Sequence, residues 1–408
     1  MKLLKIYTDS FSGLSKESWM LAIVMLINRA GSMVLPFLGV YMTDHLGFKL
    51  EAAGLVLSCF GIGSVLGSWL GGWVTDKIGE FKVQSLSLLL SVPLFCMIPL
   101  FQTEIGLATI ILLQSTVSEF FRPANSVAIT KYAKPSNMTR SFSLNRMAVN
   151  LGFSIGPAMG GILSAISYDF LFYSNAIAAL IAGIVYISFF RNRKYRNDEE
   201  LGLKEIKSTI SPYRDGKFLL FSFLCMMFSI CFFQLLNTLT IFYKTEANLT
   251  QQGIGYLLGY SGFIIVLLEM LLVQIADTRF RLKFTLFIGT LLCGISFAIL
   301  GLSSSIFVLV LAMTILSVGE IWTMPFMSTI TALRSGPNNK GAYMGLLGIG
   351  FSLSFIITPY VGTYIAQEKG FTFLWFGTGI LMALTALGFY FTIPWMLGDK
   401  KVEESSSI

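Results

Sequence analysis

The sequence predicts an all-α membrane protein with twelve transmembrane helices in two pseudo-symmetric six-helix bundles. The first observation behind this is composition. Of the 408 residues, 54% are hydrophobic and only 12% are charged, where an ordinary soluble domain carries about a quarter charged residues. No water-soluble fold disposes of that much apolar surface. The second is length: apolar runs of roughly 20 residues, enough at helical rise to cross about 30 Å of hydrocarbon, recur along the whole chain. The third is repetition. Sliding the chain along itself by about 201 residues brings Gly54 onto Gly255, Gly61 onto Gly262, Asp76 onto Asp277, Glu119 onto Glu320, Thr130 onto Thr331 and Gly161 onto Gly362. One match would mean nothing, but six at one offset mark an internal repeat, the device by which transporters build a site between two halves.

The runs fall at 18–42, 52–75, 84–101, 104–132, 140–166, 168–190, 217–243, 253–276, 283–303, 305–333, 343–366 and 372–395. Lys2, Lys5 and Lys16 precede the first as in a signal peptide, yet the run is too long for one and no small-residue cleavage site follows. The longest polar stretch, Arg191 to Lys217, separates six runs from six. The expected organisation is an N-terminal bundle over 1–190, a cytoplasmic linker over 191–216 and a C-terminal bundle over 217–408. The net charge of +7 argues for orientation and not for a nucleic-acid partner, because of where the basic residues stand. With the N-terminus inside, only Lys49, Lys244 and Lys369 lie outside. Both termini are therefore expected in the cytoplasm, in a plasma membrane such as the bacterial inner membrane. Cys59, Cys96, Cys225, Cys231 and Cys293 all lie in apolar runs without metal-ligand spacing and read as packing residues. The lone His45, at the outer end of the first run, reads as a surface residue.

After the second run stands Gly72-Trp-Val-Thr-Asp76-Lys77-Ile-Gly79-Glu-Phe-Lys82, a glycine-spaced turn centred on an aspartate. It resembles the signature loop of the major facilitator superfamily. The second copy, Asp277-Thr-Arg279-Phe-Arg281, keeps the acid and the basic residues but loses the glycines. An aspartate at a helix end can accept hydrogen bonds from a neighbouring helix N-terminus and lock the cytoplasmic side shut, although the same residues also read as an ordinary helix stop. The fifth run carries Arg146-Met-Ala-Val-Asn150-Leu-Gly152-Phe-Ser-Ile-Gly156-Pro157-Ala-Met-Gly160-Gly161. This is similar to the glycine-proline motif of the drug:proton antiporter branch of the superfamily; its small residues let two helix backbones approach and its proline supplies a bend. The fourth run departs from that branch, because Glu119-Phe-Phe-Arg122-Pro123-Ala-Asn125 replaces an arginine followed by glycines. The resemblance implies the major facilitator fold, a monomer, no cofactor and a central cavity lined by the first, fourth, seventh and tenth helices.

Six ionisable residues fall well inside the runs: Arg29, Glu119, Arg122, Arg146, Glu269 and Glu320. Each costs about 2.5 to 3.5 kcal/mol at the bilayer centre, so they must face a cavity or one another. By the resemblance, Arg29, Glu119, Arg122 and Glu320 surround the cavity. A carboxylate in a partly dry cavity retains a proton more readily than one in water, which makes Glu320, and next Glu119, the candidates for proton coupling. Glu119 stands one turn from Arg122 and is the better candidate for a fixed pair. Arg29, beside Asn28, is expected to pair with Glu119 or Glu320, or to hold an anionic substrate. Glu269 and Arg146 read as gate or packing charges. Met33, Phe37, Phe233, Gln234, Asn237, Trp322 and Phe326 complete the expected pocket.

No phosphate-cradling loop, metal cluster or nucleophile–base pair stands out in the sequence, which argues against an enzyme and against a bound metal. The expected function is export of a small amphipathic or lipophilic compound in exchange for protons, the halves rocking about a midplane site within the lipid bilayer. Proton-coupled uptake of a small anion or nutrient, which the buried arginines would suit, and a lipid-handling or non-transporting receptor are the competing readings.

Overall fold

A computed structural model describes residues 7–193 and 210–398, and among these it holds helices and no strands. Most of the expected linker, 194–209, lies outside the described residues, as do Lys2, Lys5, Lys400 and Lys401. The helices in order are α1 (Lys16–Ala30, continued by Val34–Val40 and a π-turn Tyr41–His45), α2 (Leu50–Ile78), α3 (Glu80–Met97), α4 (Glu104–Glu119 with Phe121–Tyr132), α5 (Met138–Ile166) and α6 (Asp169–Phe190). The second set is α7 (Gly216–Phe232, a 3₁₀ turn Phe233–Leu236 and Thr238–Thr245), α8 (Gln251–Arg279), α9 (Leu282–Leu300) and α10 (Ile306–Ile321 with Met324–Arg334). The last helix, Lys340–Leu397, is 58 residues long and contains one non-helical residue, Gly370 at φ +82°. At 1.5 Å per residue it would be nearly three bilayers long, so Gly370 divides it into α11 and α12. Among the described residues, ten helices are long and apolar enough to cross a membrane when the two-part α4, α7 and α10 are each taken whole; dividing the last one and joining the two parts of α1 gives twelve.

Large apolar side chains such as Ile105, Tyr256, Leu55 and Ile380 stand on the outside. In water this would be an aggregation surface, whereas in hydrocarbon it is the proper solvent face. The interior of the second half is one hydrophobic cluster, centred on Phe218, Phe228, Phe297, Phe326 and Trp375, and that of the first half is two, one of which reaches across to Met270, Ala332 and Met344. The halves meet chiefly through α2 against α11 and through α5 against α8 and α10.

That contact is confined to one end. Along α2 a single face, spaced by helical turns, passes Ser68 and Gly72 packed on Gly345 and Gly341, then Ser64 bonded to Ser352 at 2.9 Å, then Gly61 against Ile356. Two turns further along that face, a Cβ added to Gly54 would meet nothing within 4 Å. The second half repeats this: Gly262 lies against Ser154 of α5, while Gly259 and Gly255 face open space. The two halves thus touch at the end carrying Asp76 and Asp277 and part toward the end carrying His45. A groove of ≈ 660 Å³ lies at the parted end, lined by Thr240, Ile241, Lys244 and Thr245 of α7 and Ile254, Gly255 and Leu258 of α8.

Candidate functional site

Four helices are interrupted near mid-span, and they are the four that the resemblance places around the cavity. Helix α1 breaks at Gly31–Met33, α4 at Phe120, α7 at Phe233–Asn237 and α10 at Trp322–Thr323. Three of the interruptions have a proline four residues downstream of a freed carbonyl: Pro36 after Ser32, Pro123 after Glu119 and Pro325 after Ile321. In α7 the amide of Asn237 takes over, its Nδ2 donating to the Phe233 carbonyl at 3.3 Å. The breaks obey the same offset of about 201 residues as the sequence repeat, so the duplication extends to the defects in the helices.

Around these breaks the six buried charges form two groups. In the first half, Arg122 grips Glu119 within α4, with Nε at 3.2 Å and a terminal nitrogen at 3.3 Å. Arg29 joins neither carboxylate: its Cζ lies 5.8 Å from the centre of the Phe153 ring, and its shielded Nε has no hydrogen-bond partner. The expected pairing of Arg29 with Glu119 or Glu320 is therefore absent in this conformation. The reason is that both acids are already engaged, Glu119 by Arg122 and Glu320 by Arg146.

The second group crosses between the halves. Arg146 of α5 donates to Oε1 of Glu320 at 2.5 Å and to the Glu320 backbone carbonyl at 3.2 Å. Its Nε stands 3.7 Å from Oε1 of Glu269 on α8. Glu269 is fully buried, and neither of its oxygens accepts a hydrogen bond. Sequence reading separated these three residues, two as gate charges and one as a coupling acid; folding brings them together, because α8 and α10 both lean on α5.

The glycine motif of α5 forms the seam with α1. A Cβ on Gly152 would come 2.5 Å from Cβ of Arg29, one on Gly156 3.2 Å from the Ala30 carbonyl, and one on Gly160 2.8 Å from the Phe37 ring. Small residues at this spacing let α5 seat directly on the broken turn of α1. Pro157 lies within the unbroken α5, and the Nδ2 of Asn150 has no partner.

At the touching end, Asp76 closes the contact between α2 and α11. Its two carboxylate oxygens accept the backbone amides of Gly341 at 2.6 Å and Ala342 at 2.7 Å, the first turn of α11. Gly79, at φ +87°, makes the turn into α3, Lys77 lies 3.7 Å over the Trp73 ring and Lys82 is exposed. The second copy is weaker: Asp277 accepts only the Thr139 hydroxyl at 3.2 Å, and Arg279 and Arg281 face outward. Two braces escaped sequence reading. Glu80, buried on α3, takes Lys131 of α4 at 2.6 Å. Asp215, ahead of α7, takes Nε of Arg334 at 2.7 Å and the Tyr343 hydroxyl at 2.8 Å, and its place just before an apolar run was the available signal, that of a helix N-cap.

Of the expected pocket residues, Met33 and Phe37 pack on α5 and Asn28 is half-buried. Phe233 stacks on Phe355 with ring centres 4.0 Å apart, and the buried Gln234 faces Gly362 of α11 with its Oε1 unpartnered. Two expectations are corrected. Phe326 is sealed in the core of the second half, and Trp322 donates its indole N–H to the Leu272 carbonyl at 3.1 Å. Both follow from the break in α10, which turns these side chains toward α8 and the core instead of the cleft. Among the described residues no group of His, Cys, Asp and Glu could hold a metal ion.

Comparison with known proteins gives this architecture its family. The model of the Major Facilitator Superfamily matches residues 20–279 and 222–406, nearly the whole chain. The multidrug resistance protein MdtH of Yersinia enterocolitica is 21% identical, with 91% of this chain and 92% of MdtH covered. A Na(+), Li(+), K(+)/H(+) antiporter of Planococcus maritimus is 23% identical, with 92% and 94% covered. Among solved structures, a bacterial homologue of the iron transporter ferroportin in an outward-facing state superposes with a TM-score of 0.74 at 15% identity, over 92% of this chain and 98% of the other. Twelve crossings, a duplicated six-helix design and full-length agreement with the family model make this chain a multi-pass membrane transporter, not an enzyme, belonging to the Major Facilitator Superfamily.

Proposed function

We propose that the chain is a proton-coupled secondary transporter that exports a small amphipathic or lipophilic compound by alternating access. Its halves, 1–190 and 217–408, rock about the four broken helices, in a bacterial inner membrane with both termini in the cytoplasm and the protein acting as a monomer. The observation that carries this reading is the Arg146–Glu320 ion pair, shielded from water and spanning the two halves. Such a bond must break when the halves separate at that end. A charge left alone in a dry interface costs several kcal/mol, so separation is tied to neutralising Glu320. Proton binding is the available way to do that, and it supplies the coupling. On this reading the closed Asp76 end is cytoplasmic, the cleft opens outward, and Glu119 serves as the fixed partner of Arg122. The names of the relatives, one a multidrug resistance protein and one an antiporter that uses protons, support export by exchange.

The test uses purified protein in liposomes under an imposed pH gradient, with a panel of lipophilic cations and neutral amphiphiles. Substrate addition should drive protons inward, and Glu320→Gln should abolish gradient-driven transport by at least about tenfold while leaving substrate exchange partly intact. Unchanged pH dependence in that variant would reject Glu320 as carrier. A second reading, uptake of a small anion, rests on Arg29, whose shielded guanidinium nitrogen has no partner beside the broken turn of α1. It predicts that anionic amphiphiles, not cations, produce the proton signal, and that Arg29→Lys weakens their binding.

A further inference from the structure

The interface between the halves contains one guanidinium and two carboxylates: Arg146 from α5, Glu320 from α10 and Glu269 from α8. Two negative charges against one positive charge leave the group one charge short of neutral in a largely buried place, with Glu269 fully shielded and Arg146 and Glu320 only slightly exposed. The geometry shows where the imbalance falls. Glu320 receives the terminal nitrogen of Arg146 at 2.5 Å, and its backbone carbonyl receives the other at 3.2 Å. The guanidinium is thereby spent on Glu320. Glu269 has only the distant Nε at 3.7 Å, is fully buried, and accepts no hydrogen bond on either oxygen.

An ionised carboxylate requires donors, and leaving a buried one without them costs several kcal/mol. A protonated carboxyl left unpaired costs far less, because it carries no net charge. Among the described residues, no further charge stands against Glu269 to neutralise it. The charged groups facing Glu269 are Arg146 and Glu320, and Cys293 of α9 faces that pair from behind. The part of α7 packed on α8 carries Tyr243 and Lys244, but Lys244 lines the groove with Leu258, about 16 Å along α8 from Glu269 at helical rise.

We infer that Glu269 is the residue that holds a resident proton while the halves are closed at the Asp76 end, with Glu320 ionised in that state as the partner of Arg146. The inference rests on the transport reading above and refines it by adding a second acid, unpaired in the closed state, that holds a proton before Glu320 is neutralised on separation. It also sets a direction. When Glu269 loses its proton, Arg146 gains a second carboxylate on the opposite half, and closure at the Asp76 end tightens. When Glu269 regains it, one of the two attractions across the interface disappears and that end opens more readily.

Infrared difference spectroscopy on the full chain in lipid, titrated with acid and base, tests this without a known substrate. A carbonyl stretch of a protonated carboxylic acid should be present, vanish in Glu269→Gln and persist in Glu320→Gln. Glu269→Asp, which keeps the acid, should shift the band instead of removing it, and this separates loss of the proton from loss of the fold. Replacing sodium with choline at constant pH should leave the band unchanged. A band that survives Glu269→Gln overturns the inference, as does one that disappears in Glu320→Gln alone. A band that sodium removes at constant pH also overturns it, because the carboxylates would then bind a metal cation. If the band survives Glu269→Gln while Glu320→Gln still abolishes gradient-driven transport, the inference fails and the proposed function stands.

Discussion

The two copies of the aspartate turn fold to the same place in their halves and make different contacts. Asp76 reaches across to α11 and takes two backbone amides at 2.6 and 2.7 Å; Asp277 reaches across to α5 and takes one hydroxyl at 3.2 Å. The difference lies in the glycines. Gly72 on α2 and Gly341 on α11 are so close that a Cβ on either would collide with the other's backbone carbonyl, and this intimacy brings the first turn of α11 within reach of the carboxylate. The second copy has Leu272 and Val273 where the first has Gly71 and Gly72, so no glycine seam of this kind seats α8 on α5. Its closure depends instead on the long arm of Arg146 reaching Glu320 and Glu269. A small-residue seam makes a lock from backbone; without one, the lock is made from side-chain charge.

Changing the seam should have the largest effect. Gly72→Val places a branched side chain against the Gly341 backbone, and overpacking of this kind costs about 3 kcal/mol at its upper end. At 1.4 kcal/mol per decade the closed state should lose about a hundredfold in population, read as a lengthened distance between spin labels at the ends of α2 and α11. The same distance in the variant and the wild type would show that the glycines are not what brings the helices together. Asp76→Asn comes next: one amide loses its acceptor and the charge at the α11 N-terminus is gone, for about 1.5 to 3 kcal/mol. Asp277→Asn should cost less, about 0.5 to 1.5 kcal/mol, because only one hydroxyl bond is weakened. Equal shifts in the two variants would erase the contrast between the copies.

The smallest effect concerns Asp215, which braces the start of α11 from the other side. Burial pushes its carboxyl upward, but hydrogen bonds from Arg334 and Tyr343, with the Arg334 charge, outweigh that and hold it below the ordinary carboxylate range. A depressed value in the fold means stabilisation that is fully present above about pH 4 and lost as pH falls further. Thermal unfolding in detergent should therefore weaken below about pH 4 in the wild type, and Asp215→Asn should flatten that slope. An unchanged slope would remove Asp215 from the brace.

Much of the fold was legible because the bilayer demands long apolar helices, and a duplicated chain repeats its glycines and acids at one offset. The Glu119–Arg122 pair was legible too, since residues one helical turn apart share a face. Other features could not be read. Pro36, Pro123 and Pro325 mark three breaks, yet α7 breaks without a proline at Phe233–Asn237, where Gly362 packs closely on Gln234 and Thr238. Trp322 and Phe326, expected along the pocket, are turned toward α8 and the core by the interruption of α10.

What the sequence determined by itself was the class of solvent, the number of crossings, the duplication and the presence of buried charges, all of which follow from local composition and spacing. Which charge meets which was decided by tertiary structure alone. Arg146, Glu269 and Glu320 are separated by more than a hundred residues in places, and their meeting depends on how α8 and α10 lean against α5. In a dry interface the energy of each charge is set by the one or two groups within hydrogen-bond reach, and that distance is a property of packing which no periodicity records.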